Sequence, residues 1–187
     1  MVVWPEGPPM KKPLISLIRL LVTPLLILLF GVFPTDVRPE SLIVKDPNGF
    51  AGIQWGESLL PREDLVLIEP DERIHTFQFR DSPPNLASIS VESLKLLSID
   101  GQFARVMIHY QGERIHTQIM NYLETRFGKI NLNPGSMMRG LNQGYLWRGS
   151  NTEISLNYRG FGERGFIMFQ SRILAPRFLD SLSEHSH

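Results

Sequence analysis

The stretch LKLLSIDGQFARVMIHY, Leu94 to Tyr110, decides the fold. Two apolar-rich runs flank Asp100-Gly101, a dipeptide that accepts positive φ and so favours the tight turn between antiparallel strands. The reading is a β-hairpin with strands Leu94–Ile99 and Gln102–Tyr110. Alternation along the second strand puts Ala104, Val106, Ile108 and Tyr110 on one face. It puts Phe103, Arg105, Met107 and His109 on the other.

The same period of two extends the sheet. Ile74–Phe79 alternates, with His75, Phe77 and Phe79 on one face, and Ile154, Leu156 and Tyr158 alternate with polar neighbours. Phe166–Ser171 is expected to pair with that last strand. Between these strands the period changes to 3.6: Ile115, Ile119, Tyr122, Leu123 and Phe127 form one apolar stripe, and Gly128 follows as a C-terminal stop. A shorter helix is expected at Pro61–Val66, because proline suits a first helical turn. The resulting fold class is α+β, one antiparallel sheet of about five or six strands with one main helix packed on a face, preceded by an N-terminal hydrophobic helix.

That hydrophobic helix is read from MKKPLISLIRLLVTPLLILLFGVF, Met10 to Phe33. Lys11 and Lys12 precede a long apolar run, the charge and hydropathy order of an export or insertion signal. Leu14 to Phe33 at about 1.5 Å per residue reaches about 30 Å, one hydrocarbon thickness. Arg19 lies near enough to the cytoplasmic end to snorkel. With Lys11, Lys12 and Arg19 on its N-terminal side, the run should hold the N-terminus inside and send the body across. Leu29-Phe30-Gly31 is the nearest approach to a small-residue cleavage site, so both a retained inner-membrane anchor with a periplasmic body and a cleaved, periplasmic or secreted form stay open. Met10 is expected to be the start of translation. Residues 34–49 are expected to be a linker, 50–175 the globular domain and 176–187 a polar tail.

Composition narrows the chemistry. The chain has no cysteine, which removes disulfides, thiolate metal sites and cysteine nucleophiles. From Pro34 to Thr125 there are 8 basic and 14 acidic residues, and from Arg126 to Arg177 there are 8 basic and 2 acidic, seven of the eight being arginine. Such asymmetry marks either a surface for an anionic partner or two halves that neutralise each other within one fold. Nucleic acid is not expected as a partner, given the export signal and a near-balanced body.

Gly160-Phe-Gly162-Glu-Arg-Gly165 matches G-x-G-x-x-G, but a dinucleotide site needs the loop to open a helix, and Phe166-Ile-Met-Phe reads as a strand. The glycines are assigned to a hairpin turn, and no cofactor is expected. The five histidines (His75, His109, His116, His185 and His187) lack a third ligand at metal spacing, so no metal is expected. No G-x-S-x-G elbow or S-x-x-K pair is present, and no catalytic residue is assigned. Carboxylates gather at Glu63-Asp64 and at Glu69, Asp71 and Glu72 in turn-like segments. Candidate ligand-binding residues are Trp147, Arg148, Arg159 and Arg164, because an exposed aromatic beside arginine stacks on sugars and grips anionic groups.

Phe50-Ala-Gly52-Ile53-Gln-Trp55-Gly56 is similar to the F-x-G-I-x-W-G opening of small exported bacterial proteins of unassigned function. The Asp100-Gly101 hairpin, a helix ending at Phe127-Gly128 and a strand beginning near Trp147 follow in the same order, so the resemblance covers about Phe50 to Ser171. It implies an envelope-associated α+β domain and brings no catalytic residue with it. Two functional expectations result. One is a non-enzymatic envelope module binding a protein, glycan or anionic lipid through the basic C-terminal half. The other is a small carboxylate-dependent hydrolase of the envelope.

Overall fold

The computed structural model describes residues 40–130 and 142–184. The Met10–Phe33 run, His185 and His187 lie outside these residues. Among the described residues no helix is long and apolar enough to cross a membrane.

The strands are β1 (Glu40–Leu42), β2 (Gly49–Phe50), β3 (Ile53–Gln54), β4 (Leu65–Pro70), β5 (Ile74–Phe79), β6 (Asn85–Leu86), β7 (Ile89–Ser90), β8 (Ser93–Ile99), β9 (Gln102–Gln111), β10 (Asn142–Arg148), β11 (Thr152–Arg159) and β12 (Arg164–Ser171). Among the described residues the helices are α1 (Glu113–Phe127) and α2 (Arg177–Glu184). Eight strands form one sheet in the order β1-β10-β11-β12-β9-β8-β5-β4, and β2-β3 and β6-β7 form two small ribbons.

This corrects the expected α+β class. The chain is mostly β, its sheet has eight strands rather than five or six, and it is mixed, because β1 runs parallel to β10 while the other pairs are antiparallel. The physical reason is edge recruitment. β1 lies inside the stretch read as a linker and gains its hydrogen bonds from a partner remote in sequence, Glu40 lying opposite Leu146. At the other edge, the segment expected as a Pro61–Val66 helix makes turns and then enters β4 at Leu65, opposite Phe79. An edge strand leaves one row of N–H groups unused, so Pro70 is tolerated there.

The Asp100-Gly101 turn forms as read, with φ of 50° and 77° at its two residues. The strand after it departs from simple alternation. Leu97 faces Arg105 but Ser98 faces Phe103, so Ala104 is an extra residue in β9. A bulge of this kind reverses which side of the sheet the flanking residues occupy. Phe103 therefore joins Val106, Ile108 and Tyr110 in the main core, and Ala104 joins Leu97 and Ile99 on the opposite face. Simple alternation places these two residues the other way round.

The main core lies between the sheet and α1, which buries His116, Ile119, Leu123 and Phe127. Trp147 is fully buried there and its indole N–H donates to the Gly128 carbonyl at 2.8 Å. The F-x-G-I-x-W-G opening is a clip over this core. Phe50 packs edge-on against Phe169 with ring centroids 5.1 Å apart, and Trp55 lies 4.8 Å from Phe103. Gly52 holds the β2–β3 turn at φ 83°, a conformation disfavoured for residues with a Cβ.

On the opposite face, α2 covers one end of the sheet, where Leu174 and Phe178 pack on Leu97, Ile99 and Ala104. The segment expected as a polar tail is thus a docked helix. Arg177 fixes its start by donating to Gln102 Oε1 at 2.8 Å.

Candidate functional site

The G-x-G-x-x-G segment is a hairpin turn between β11 and β12, and its parts have separate structural tasks. Gly162 sits at φ 85°. The Glu163 carbonyl accepts the Gly112 N–H at 2.9 Å, and its carboxylate accepts the Glu113 N–H at 3.4 Å. Gly112 has no side chain to cap α1, so a neighbouring hairpin supplies the acceptor that the first helical turn requires. Gly165 lies within β12 under the ring of Tyr110, where a Cβ would overlap that ring.

Gln143, Tyr158, Gly165 and Tyr110 are direct neighbours across β10, β11, β12 and β9. His116 reaches down from α1 and stacks on Tyr158 with centroids 3.9 Å apart. His116 Nε2 is 3.2 Å from Gln143 Oε1, which also accepts the Tyr145 hydroxyl at 2.8 Å. An amide oxygen only accepts, so Nε2 carries the proton, and neutral Nδ1 then accepts the Tyr110 hydroxyl at 2.7 Å. Burial holds the His116 imidazole below its ordinary value, against smaller upward pulls from Gln143 and Glu113. Burial likewise raises the phenols of Tyr110, Tyr145 and Tyr158. The side chains of His116, Tyr110, Tyr145 and Tyr158 are neutral and lie in the core, the first three joined to one another or to Gln143 by hydrogen bonds, which makes the cluster part of the packing.

The opposite face of the same strands carries a different row. Arg148, Glu153, Gln170 and Arg105 are direct neighbours across β10, β11, β12 and β9. Arg148 Nε donates to Glu153 Oε2 at 3.1 Å, Gln170 Nε2 to Glu153 Oε1 at 2.9 Å, and Arg105 Nη2 to Gln170 Oε1 at 3.1 Å. The row ends in a cleft of about 350 Å³ under the C-terminal segment, lined by Arg105, Glu153, Met168, Gln170, Arg172 and Leu179 among others.

Arg105 is the unusual member. Its guanidinium carbon stands 4.0 Å from the centroid of the Phe178 ring, and its buried Nε has no partner among the described residues. No carboxylate pairs with it among those residues, and burial lowers its affinity for its proton. Arg172 beside it donates to the carbonyls of Gly149 and Ser150, at 2.6 and 3.4 Å, rather than to an acid.

The four sequence candidates do not converge. Trp147 is in the core, Arg148 stands at the far end of the polar row, and Arg159 and Arg164 are exposed and opposite one another beside the hairpin tip. Arg105 was missed because its strand alternation showed only a polar-face position; the cleft exists only once the chain after β12 folds back. The acids at Glu63, Asp64, Glu69, Asp71 and Glu72 are all exposed, with Asp64 paired to Arg62 and Glu69 to Lys95. A second cleft, about 510 Å³, includes the exposed Asp81 and Glu92 together with Lys95. Among the described residues no three His, Asp or Glu side chains are placed to share a metal ion.

No protein-family model, curated protein or solved structure matches this chain.

Proposed function

We propose that this chain is a non-enzymatic interaction module of the bacterial cell envelope, with its body on the extracytoplasmic side, and that the Arg105 cleft takes an anionic group of its partner. The observation that carries the reading is the unbalanced charge at Arg105. A half-buried cation without an acid is costly, and an arriving carboxylate or phosphate would offset that cost. Arg172 supplies a second guanidinium at the same cleft, and arginine forks suit both anions. Met168 and Leu179 give the apolar walls that such sites combine with a few fixed polar groups.

The location rests on the Met10–Phe33 signal and on the resemblance to small exported proteins. The absence of cysteine makes a site-specific test direct. A photocrosslinker attached at Leu179→Cys, on the exposed rim of the cleft, is activated in intact envelope membranes. A discrete adduct is expected, and adding Arg105→Met should reduce it by at least tenfold. Adducts of equal yield in both proteins would remove the cleft from the proposal. Mass measurement of the N-terminus in the same sample separates the anchored form from the cleaved one.

A further inference from the structure

We infer that the tip of the β11–β12 hairpin, Arg159 to Arg164, docks on an anionic bilayer surface. Phe161 stands at this tip with 94% of its surface exposed, and no other aromatic among the described residues is so exposed. Arg159 and Arg164 flank it as a cross-strand pair. Both side chains are exposed, and neither makes a hydrogen bond or ion pair among the described residues. An aromatic ring carried between cations suits a membrane interface, where the ring enters the headgroup boundary and the guanidiniums meet lipid phosphates.

The acids at this end, Glu163 and Glu113, leave a net positive charge against Arg159, Arg164 and Arg114. Glu163 turns its carboxylate towards the Glu113 N–H at the start of α1. Glu113 is itself acidic and is followed by the exposed Arg114, so these five side chains sum to one positive charge.

The path of the chain favours a membrane over a protein partner. β1 runs parallel to β10 with Glu40 opposite Leu146, so the chain enters β1 from the end of the sheet where Asn142 faces Arg159. From the Leu146 level to the Asn142 level is about 13 Å along the strand. The apolar run that the sequence assigns to a bilayer ends at Phe33, and residues 34–39 reach at most about 20 Å when extended. The chain thus enters the domain at the same end of the sheet as the hairpin tip, six residues after the apolar run ends. The inference rests on the envelope location proposed above but not on the Arg105 cleft.

The test uses the full chain with a single environment-sensitive fluorophore at Phe161→Cys, or at Ile173→Cys beyond the opposite end of β12. Each labelled protein is reconstituted in phosphatidylcholine vesicles with or without phosphatidylglycerol. In phosphatidylglycerol vesicles the label at 161 is expected to shift to the blue and to resist iodide quenching several-fold better than the label at 173. Arg159→Gln with Arg164→Gln should abolish that difference, whereas Arg105→Met should leave it intact. Vesicle flotation with equal quenching at the two positions overturns the docking alone. Failure to float overturns both the docking and the membrane location. Protection that survives the double arginine substitution, or that is equal without phosphatidylglycerol, overturns the anionic contact.

Discussion

The ring of Tyr110 rests directly on Gly165, its neighbour across the β9–β12 pair, in space that any Cβ would occupy. The third glycine of a phosphate-loop look-alike is therefore a seat for a core aromatic. Gly165→Ala should destabilise the protein by about 1–3 kcal/mol through overpacking, because neither the strand nor the ring can withdraw freely. Urea unfolding measures this, and an unchanged midpoint would show that the ring relaxes without cost.

Asp46 ties the β1–β2 connection to the turn before β11. Its carboxylate accepts the Thr152 hydroxyl at 2.6 Å and the Asn151 and Thr152 N–H groups at 2.6 and 3.0 Å. Burial alone would raise its pKa, but these bonds, with that from the Asn48 N–H, outweigh it and hold the value at about 2. A depressed folded pKa means that the unfolded chain binds the proton first, so the stabilisation is complete above the ordinary value of 3.8 and is lost as pH falls towards 2. Asp46→Asn should cost about 1–2 kcal/mol at neutral pH, after allowance for its partial exposure. The gap between the two proteins should close between pH 4 and pH 2; a gap independent of pH would contradict the assignment.

His116 gives the opposite end of the pH scale. It is neutral in the fold and its pKa is held down by burial. The unfolded chain therefore takes up a proton below about pH 6.5 while the folded one does not, and stability falls as pH drops through that region. His116→Gln should flatten this part of the stability profile. Tyr110→Phe should cost about 1–3 kcal/mol by leaving Nδ1 without a donor. A His116 ring that titrates at its ordinary value by NMR would refute the buried cluster.

Arg105→Met tests whether the cleft trades stability for binding. Replacing a half-buried, acid-free cation by an apolar chain of similar length removes the desolvation cost, although it also removes the stacking on Phe178. The thermal midpoint is expected to hold or rise. A loss exceeding about 2 kcal/mol would mean that the arginine is a structural strut.

Trp147→Phe should lower stability by about 1–3 kcal/mol, because it removes buried volume and leaves the Gly128 carbonyl without its donor. Crosslinking through the cleft should survive wherever the protein remains folded. Loss of crosslinking without loss of stability would return Trp147 to a binding role.

Local chemistry alone was enough for several elements. Asp100-Gly101 names its own turn because both residues accept positive φ. The spacing of Ile119, Leu123 and Phe127 names a helix, and the alternation of Ile154, Leu156 and Tyr158 names a strand, since each period is a property of neighbouring backbone geometry. Gly128, the expected stop of the helix, adopts φ 112°.

Tertiary structure decided what those elements do together. The parallel β1–β10 pair joins segments remote in the chain, and no local pattern encodes which edge a three-residue strand will find. One extra residue at Ala104 exchanged the faces of two side chains, because side-chain direction in a strand counts residues and not hydropathy. Trp147 looked like a stacking platform until the backbone carbonyl of Gly128 and the packing of α1 enclosed it. Arg105 looked like one surface cation among many, and only the return of Leu174 and Phe178 over the sheet left it half-buried beneath an aromatic ring. The sequence determined the repeating elements and the apolar N-terminal run; burial, register and charge balance are sums over distant partners, and folding alone assigns those.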